Sequence, residues 1–221
     1  RDDWLHSHLI RYPTPWHAAR MKRLEHETLR QADALTVVND GYKRALNSRI
    51  PDLPPTTVIP NGFDRSDFES REPEAEPRFT LLHNGLFYGR QQPDELLHAV
   101  REAVDRRPEI RTSTRVVFQG DFFDRHMAMA RRLGLEEMVE ARGGLPHRQA
   151  VQGLAGADVL WLTVPRQPHS ENHTPGKLYE YFGSGKPILA FCGPGVTADL
   201  LERYGAAWMA PPSGGEAAVQ A

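Results

Sequence analysis

From residue 79 onward, short apolar runs alternate with amphipathic stretches, and this rhythm leaves few architectures open. Residues 79–83, 115–118, 159–162 and 187–191 read as strands, with shorter ones at 138–141 and 206–209. Helices are expected between them at 93–106, 123–133, 147–154, 176–182 and 196–203. The first of these carries Leu96, Leu97, Val100, Ala103 and Val104 on one face. Strand and helix in turn, with short joints, is the pattern of an α/β doubly wound parallel sheet. No internal repeat or low-complexity tract interrupts it.

The chain before residue 79 has a different texture. Pro15 is placed to start a helix over 16–32, with Met21, Leu24 and Leu29 spaced along it. Residues 34–38 form a short apolar run, followed by Asn39 or Asp40 as the cap of a short helix. A second strand is expected at 56–59, stopped by Pro60-Asn61-Gly62. Residues 66–77 are acidic, poor in apolar side chains, and contain Pro73 and Pro77. They read as a linker or exposed loop between two domains.

Charge and cysteine content narrow the function classes. A formal charge of -2 supplies no global basic field for nucleic acid. Arg106 and Arg107 read as a solvated helix end. The single cysteine, Cys192, rules out a disulfide framework within the chain and a cysteine-rich zinc site. It follows Ile188-Leu189-Ala190-Phe191 and is expected as a buried thiol at a strand end. No apolar run reaches the roughly 20 residues of a membrane helix, and no signal peptide is visible. A reduced, soluble, cytoplasmic protein is expected. His6 with His8, and His169 with His173, are too sparse to argue for a metal, and none is expected. The start at Arg1-Asp2-Asp3-Trp4 and the helix-like tail from Gly215 read as the ends of a piece cut from a longer chain.

Doubly wound sheets bind ligands beyond the carboxyl ends of their strands. That directs attention to the loops after His83, Phe118, Leu162 and Phe191. Three contain glycine where a backbone can approach a ligand: Asn84-Gly85, Gly120, and Gly193-Pro194-Gly195. Ordinary turn chemistry is the better account of any one of them alone, and only their joint placement at strand ends points to a ligand.

Three segments carry a resemblance. Ala32-Asp33-Ala34-Leu35-Thr36-Val37-Val38, then Val58-Ile59-Pro60-Asn61-Gly62-Phe63-Asp64 and Phe68, look like the end of the first domain and the hinge of retaining GT-B glycosyltransferases. This broad family includes sucrose-synthase-like and cell-surface polysaccharide enzymes. Leu81-Leu82-His83-Asn84-Gly85-Leu86-Phe87-Tyr88-Gly89-Arg90 resembles the first strand and loop of the family's donor domain. Thr174-Pro175-Gly176-Lys177-Leu178-Tyr179-Glu180-Tyr181-Phe182-Gly183-Ser184-Gly185-Lys186-Pro187-Ile188 resembles its "E-x7-E" region. A weaker likeness covers Gly143-Gly144-Leu145-Pro146-His147 and Ala157-Asp158.

The resemblance implies a Rossmann-like doubly wound sheet, the GT-B C-terminal domain, preceded by the tail end of a first α/β domain. Residues 1–64 would end the acceptor-side domain, with Asn61-Gly62 at the hinge. Residues 65–77 would link the domains, and 78–221 would form the donor-binding domain, cut short at its C-terminus.

It also implies roles. Glu180 matches the last glutamate of the region, which holds the ribose hydroxyls. One carboxylate can accept from two vicinal hydroxyls. Thr174, Pro175, Gly176 and Lys177 lie at a helix start, where free amides and a cation suit phosphate. Gly85, Leu86 and Gly120 would lie along the donor, and Leu145 beside the nucleotide base. Relatives carry an arginine just after the first loop glycine and a lysine five residues later. Those positions hold Leu86 and Gln91 here, and Arg90, next to the second, is the candidate replacement. The first glutamate of the region falls at Asn172, with Glu171 adjacent. Arg90 and Lys177 are thus the candidates for stabilising the departing diphosphate.

The implied activity is transfer of a sugar from a nucleoside diphosphate sugar, with retention and no tightly bound metal or other cofactor. The acceptor is a carbohydrate, a lipid-linked compound or a small molecule, and peripheral membrane contact stays open. Two alternatives also stay open: a nucleotide-sugar 2-epimerase-like isomerase and a non-catalytic sugar-nucleotide-binding module.

Overall fold

A computed structural model of the chain describes residues 12–69, 77–87, 89 and 91–212. Arg1-Asp2-Asp3-Trp4, His6, His8, Pro73, Tyr88, Arg90 and the tail from Gly215 lie outside the described residues.

The chain first forms α1 (Pro15–Arg30), capped by Thr14, with proline in its first turn. β1 (Leu35–Val37), α2 (Asp40–Arg49) and β2 (Thr56–Val58) follow. β1 and β2 pair in parallel as a separate two-stranded sheet, with Val37 opposite Val58. Val37, Tyr42, Leu46 and Ile50 form a small core of their own beneath α2. Asn39 caps α2, its side-chain oxygen accepting from the Tyr42 amide at 2.7 Å.

The stretch read as a linker or exposed loop opens with a 3-10 helix at Arg65–Phe68. Asp64 starts it, accepting from the Ser66 amide at 2.9 Å. Residues 70–76 lie outside the described set.

The larger unit opens with β3 (Phe79–Asn84) and continues through α3 (Asp94–Arg106), the single turn α4 (Ile110–Ser113) and β4 (Thr114–Gln119). Then come α5 (Asp124–Arg132), β5 (Val139–Gly143), α6 (His147–Ala155) and β6 (Val159–Thr163). The described chain ends with α7 (Lys177–Ser184), β7 (Ile188–Phe191), α8 (Val196–Tyr204) and β8 (Ala207–Ala210). The six strands make one all-parallel sheet in the order β5-β4-β3-β6-β7-β8. Growth runs one way from β3 to β5, then reverses to run from β6 to β8. The reversal, between β3 and β6, is where such sheets open a crevice.

Side chains alternate between the two faces, as parallel strands covered on both sides require. Leu81, Val116, Phe118, Trp161 and Phe191 pack with Leu96, Leu97 and Val100 of α3. Leu82, Val117, Leu160, Leu162, Ile188 and Ala190 pack with Leu154, Leu178 and Leu201 of α6, α7 and α8. Cys192 is buried just beyond β7, and burial pushes its thiol up to about 11. No described helix is long and apolar enough to cross a membrane.

Candidate functional site

The carboxyl ends of β3, β4 and β5 are tied together by backbone. The Gly85 amide donates to the Gln119 carbonyl at 2.8 Å, and the Gly120 amide to the Gly143 carbonyl at 2.7 Å. Gly85 and Gly120 have φ of +132° and +111°, a region that favours glycine. A β-carbon on Gly120 would overlap the Gly85 carbonyl, so this glycine serves the close approach of two loops. On Gly85 it would lie 2.5 Å from Nζ of Lys177.

Lys177 is the first residue of α7, and its side chain reaches back across the sheet to the end of β3. Its Nζ stands 3.2 Å from Nε2 of His83. The other ring nitrogen of His83, Nδ1, is 3.0 Å from the Trp161 carbonyl. A carbonyl only accepts, so Nδ1 carries the hydrogen and Nε2 accepts from the ammonium; the tautomer is assigned from these partners. His83 is 1% exposed and stacks on Phe87 with ring centroids 4.7 Å apart. Burial, then the charge of Lys177, drives its imidazole well below the usual histidine range, so it is neutral. Burial lowers the Lys177 ammonium to about 8, while Glu180 pulls the other way. Near neutral pH this group is a cation with no carboxylate within salt-bridge distance among the described residues.

The start of α7 has no side-chain cap. The helix therefore presents its positive end beside the Lys177 cation, at the switch point of the sheet. Thr174 and Pro175, just before it, are buried. The Thr174 hydroxyl accepts from Nδ2 of Asn39 at 2.8 Å.

Glu180 lies one turn along α7, and its side chain is 28% exposed. Burial raises its carboxyl, partly offset by His147. Nδ1 of His147 is 3.9 Å from Glu180, and its Nε2 is 3.0 Å from Oδ2 of Asp67. Asp67 raises the imidazole of His147. The 3-10 helix at Arg65–Phe68 thus places a carboxylate beside the start of α6, and His147 stands between two acids.

The structure brings Gly85, Gly120, Gly176 and Lys177 to one place, with Thr174 and Pro175 leading into it and Glu180 one turn beyond. Leu86 is 53% exposed beside Gly85. Leu145 is partly buried, two residues before His147. Gln91 is 6% exposed. Asn172 gives its carbonyl to Asn39, at 3.0 Å. Among the described residues no group of three His, Cys, Asp or Glu side chains is placed to hold a metal.

Two further residues belong to this arrangement. His83 is the next-to-last residue of β3, and the sequence marked only the loop that follows it. Asn39 reads only as a helix cap, because its second partner is 133 residues away.

The sheet order and the crevice at its switch point define a Rossmann-like α/β fold of the GT-B glycosyltransferase kind. No protein-family model matches the sequence, and no curated protein matches it. Among solved structures the chain is similar to WaaG, a glycosyltransferase involved in lipopolysaccharide biosynthesis, at a TM-score of 0.71 and 19% identity over 93% of this chain and 56% of that one. It is similar to the pneumococcal O-GlcNAc transferase GtfA, in complex with UDP and GlcNAc, at 0.68 and 16% over 91% and 38%. It is also similar to the sucrose-phosphate synthase of Thermosynechococcus elongatus, at 0.66 and 17% over 92% and 51%. The chain therefore spans about half or less of the length of these proteins.

Proposed function

We propose that the chain is the donor-binding half of a glycosyltransferase. It transfers a sugar from a nucleoside diphosphate sugar to a carbohydrate, lipid-linked or small-molecule acceptor, with retention of configuration. The observation that carries this reading is the Lys177 ammonium, held at the start of α7 against Gly85, with no carboxylate in salt-bridge distance among the described residues. A largely dry cation beside a helix N-terminus suits a diphosphate.

In this reading the diphosphate lies over Gly85 and the start of α7. Breaking the sugar–phosphate bond moves negative charge onto the leaving group, which the Lys177 ammonium and the backbone amides of Gly176 and Lys177 would stabilise. Arg90 is a second candidate cation. Glu180 accepts from the ribose hydroxyls and orients the nucleotide rather than moving a proton. Leu145 and Leu86 flank the donor. GtfA, one of the similar structures, was solved with UDP and GlcNAc, which supports a donor of this class.

The separate β1–β2 sheet and its own core support residues 1–64 as the end of an acceptor-side domain, with 78–221 as the donor domain. Between them, the linker assigned to 65–77 begins with Arg65–Phe68, which packs on α6 and α7. The single buried cysteine fits a reduced, cytoplasmic setting, and a peripheral membrane contact would fall to the acceptor side.

Calorimetric titration of the chain with UDP, GDP, ADP and dTDP, without and with magnesium, tests the reading. Saturable binding of one diphosphate, lost in Glu180→Ala, is expected. A folded chain that binds none of the four overturns the donor-site assignment. Product analysis without acceptor separates transfer from isomerisation.

A further inference from the structure

We propose that Asn39, which belongs to the β1–β2 unit, is a positioning residue for the donor site: it latches the segment that leads into α7. The inference rests on the donor-site reading above. It stands on where the three polar positions of one carboxamide go.

An asparagine side chain offers one accepting oxygen and two donating N–H groups. The oxygen of Asn39 accepts from the Tyr42 amide at 2.7 Å and so caps α2. Its nitrogen donates to the Asn172 carbonyl at 3.0 Å and to the Thr174 hydroxyl at 2.8 Å. The residue is 6% exposed, so these bonds are shielded from water. The cap needs only an oxygen, which aspartate or serine would supply equally well. The two bonds to 172 and 174 need an N–H donor, which neither of those supplies in the same place.

The segment is held from a second side. The Thr197 hydroxyl, in the first turn of α8, donates to the His173 carbonyl at 2.6 Å. Three consecutive residues are therefore fixed through their own polar atoms, two of them by Asn39. The start of α7 has no side-chain cap, so its position depends on this segment. Thr174 stands three residues before Lys177. Close packing matches the latch: a β-carbon on Gly41 would lie 2.6 Å from Oδ1 of Asn172 and 2.7 Å from Cγ2 of Val196. A movement of α2 away from the sheet would release 172–174, and the amides of α7 and Lys177 would lose their aim at the diphosphate.

Asn39→Asp isolates this role, because it keeps the α2 cap and removes both donors. Gly41→Ala is the second variant, a wedge at the same contact. Both are compared with the parent chain by hydrogen exchange of peptides covering 169–178 and 40–49, and by titration with the UDP, GDP, ADP and dTDP panel. The expected result is faster exchange in 169–178, unchanged exchange in 40–49 for Asn39→Asp, and about tenfold weaker binding of whichever diphosphate the parent binds. Unchanged exchange in 169–178 overturns the latch, whatever the nucleotide does. Faster exchange with unchanged affinity overturns the positioning role. Failure of the parent to bind any diphosphate is the distinct signature of a wrong donor-site reading, and it removes the positioning role with it.

Discussion

Nζ of Lys177 and Nε2 of His83 stand 3.2 Å apart, a cation and a neutral base held together where β3 ends and α7 begins. His83 does not neutralise the ammonium; it orients it. Its ring is fixed by the Trp161 carbonyl on one side and Phe87 on one face. The charge stays available to an anion above Gly85.

This relationship gives the first prediction. Diphosphate binding requires the protonated lysine, whose free-state value is about 8. Above about pH 7 a terminal phosphate is mostly dianionic, so the ligand's own titration is complete. Affinity should be level between pH 7 and the lysine value, then fall by up to about tenfold per pH unit above it. Lys177→Met should bind weakly and show no such fall. That variant should fold at least as stably as the parent at neutral pH, since it removes a partly buried, desolvated charge with no carboxylate in salt-bridge distance among the described residues. Calorimetric titration across the pH range, with thermal unfolding as control, checks both statements.

His83 sets the acid limit of stability. In the unfolded chain it takes up a proton near 6.5, whereas in the folded chain it does so only at a much lower pH. Below 6.5 the unfolded state therefore binds the extra proton, and stability falls as pH falls, by up to about 1.4 kcal/mol per pH unit from this group. The loss should run from 6.5 down toward the lowered folded value and be absent above it. His83→Gln should be less stable at neutral pH and lose stability less steeply in acid. Urea unfolding of both chains between pH 5 and pH 8 (about that span) gives the difference in slope directly.

Much of the fold was legible because apolar spacing reports burial locally. Leu81 and Leu82 face opposite sides of β3, as a strand covered on both faces demands, and Leu96, Leu97, Val100 and Val104 of the α3 stripe lie in the core, with Ala103 only partly buried. The glycines at 85 and 120 were legible as places of close approach, but not what approaches them. For Gly120 it is the Gly85 carbonyl, and for Gly85 it is the tip of Lys177, 92 positions away by residue number. Long-range partners leave no local pattern, so Asn39 read as a cap and His83 only as the strand end before a loop. The 3-10 helix at Arg65–Phe68 was hidden because it opens an acidic, proline-containing stretch and because one of its contacts, Asp67 to His147, spans 80 residues.

Glu180 is assigned to the ribose and not to the phosphates, and that distinction can be measured. Two hydrogen bonds to a carboxylate are worth about 1.5–3 kcal/mol each, so Glu180→Ala should weaken the preferred nucleoside diphosphate by about a hundredfold or more. Inorganic pyrophosphate has no ribose, and its affinity should hold or rise as a nearby negative charge is removed. Equal losses for both ligands would move Glu180 away from the sugar ring. Competition calorimetry with the two ligands on parent and variant makes the comparison.

Gly85 and Lys177 should behave as one unit. Gly85→Ala places a β-carbon 2.5 Å from Nζ of Lys177, and φ of +132° is itself a strained value for alanine. The strain alone costs about 1–3 kcal/mol of stability. The collision adds to that only while the lysine is present, because the side-chain tip must move off His83 to make room. In a Lys177→Ala background the same Gly85→Ala change should therefore cost less stability and leave diphosphate binding no weaker than Lys177→Ala already makes it. The two changes should be clearly non-additive, by about 0.5–3 kcal/mol, as for residues in contact. Unfolding and diphosphate titration of the four chains complete the cycle. Additive losses would mean that the loop accommodates a side chain at 85 without displacing the ammonium, and that the lysine is not held against the glycine as the structure has it.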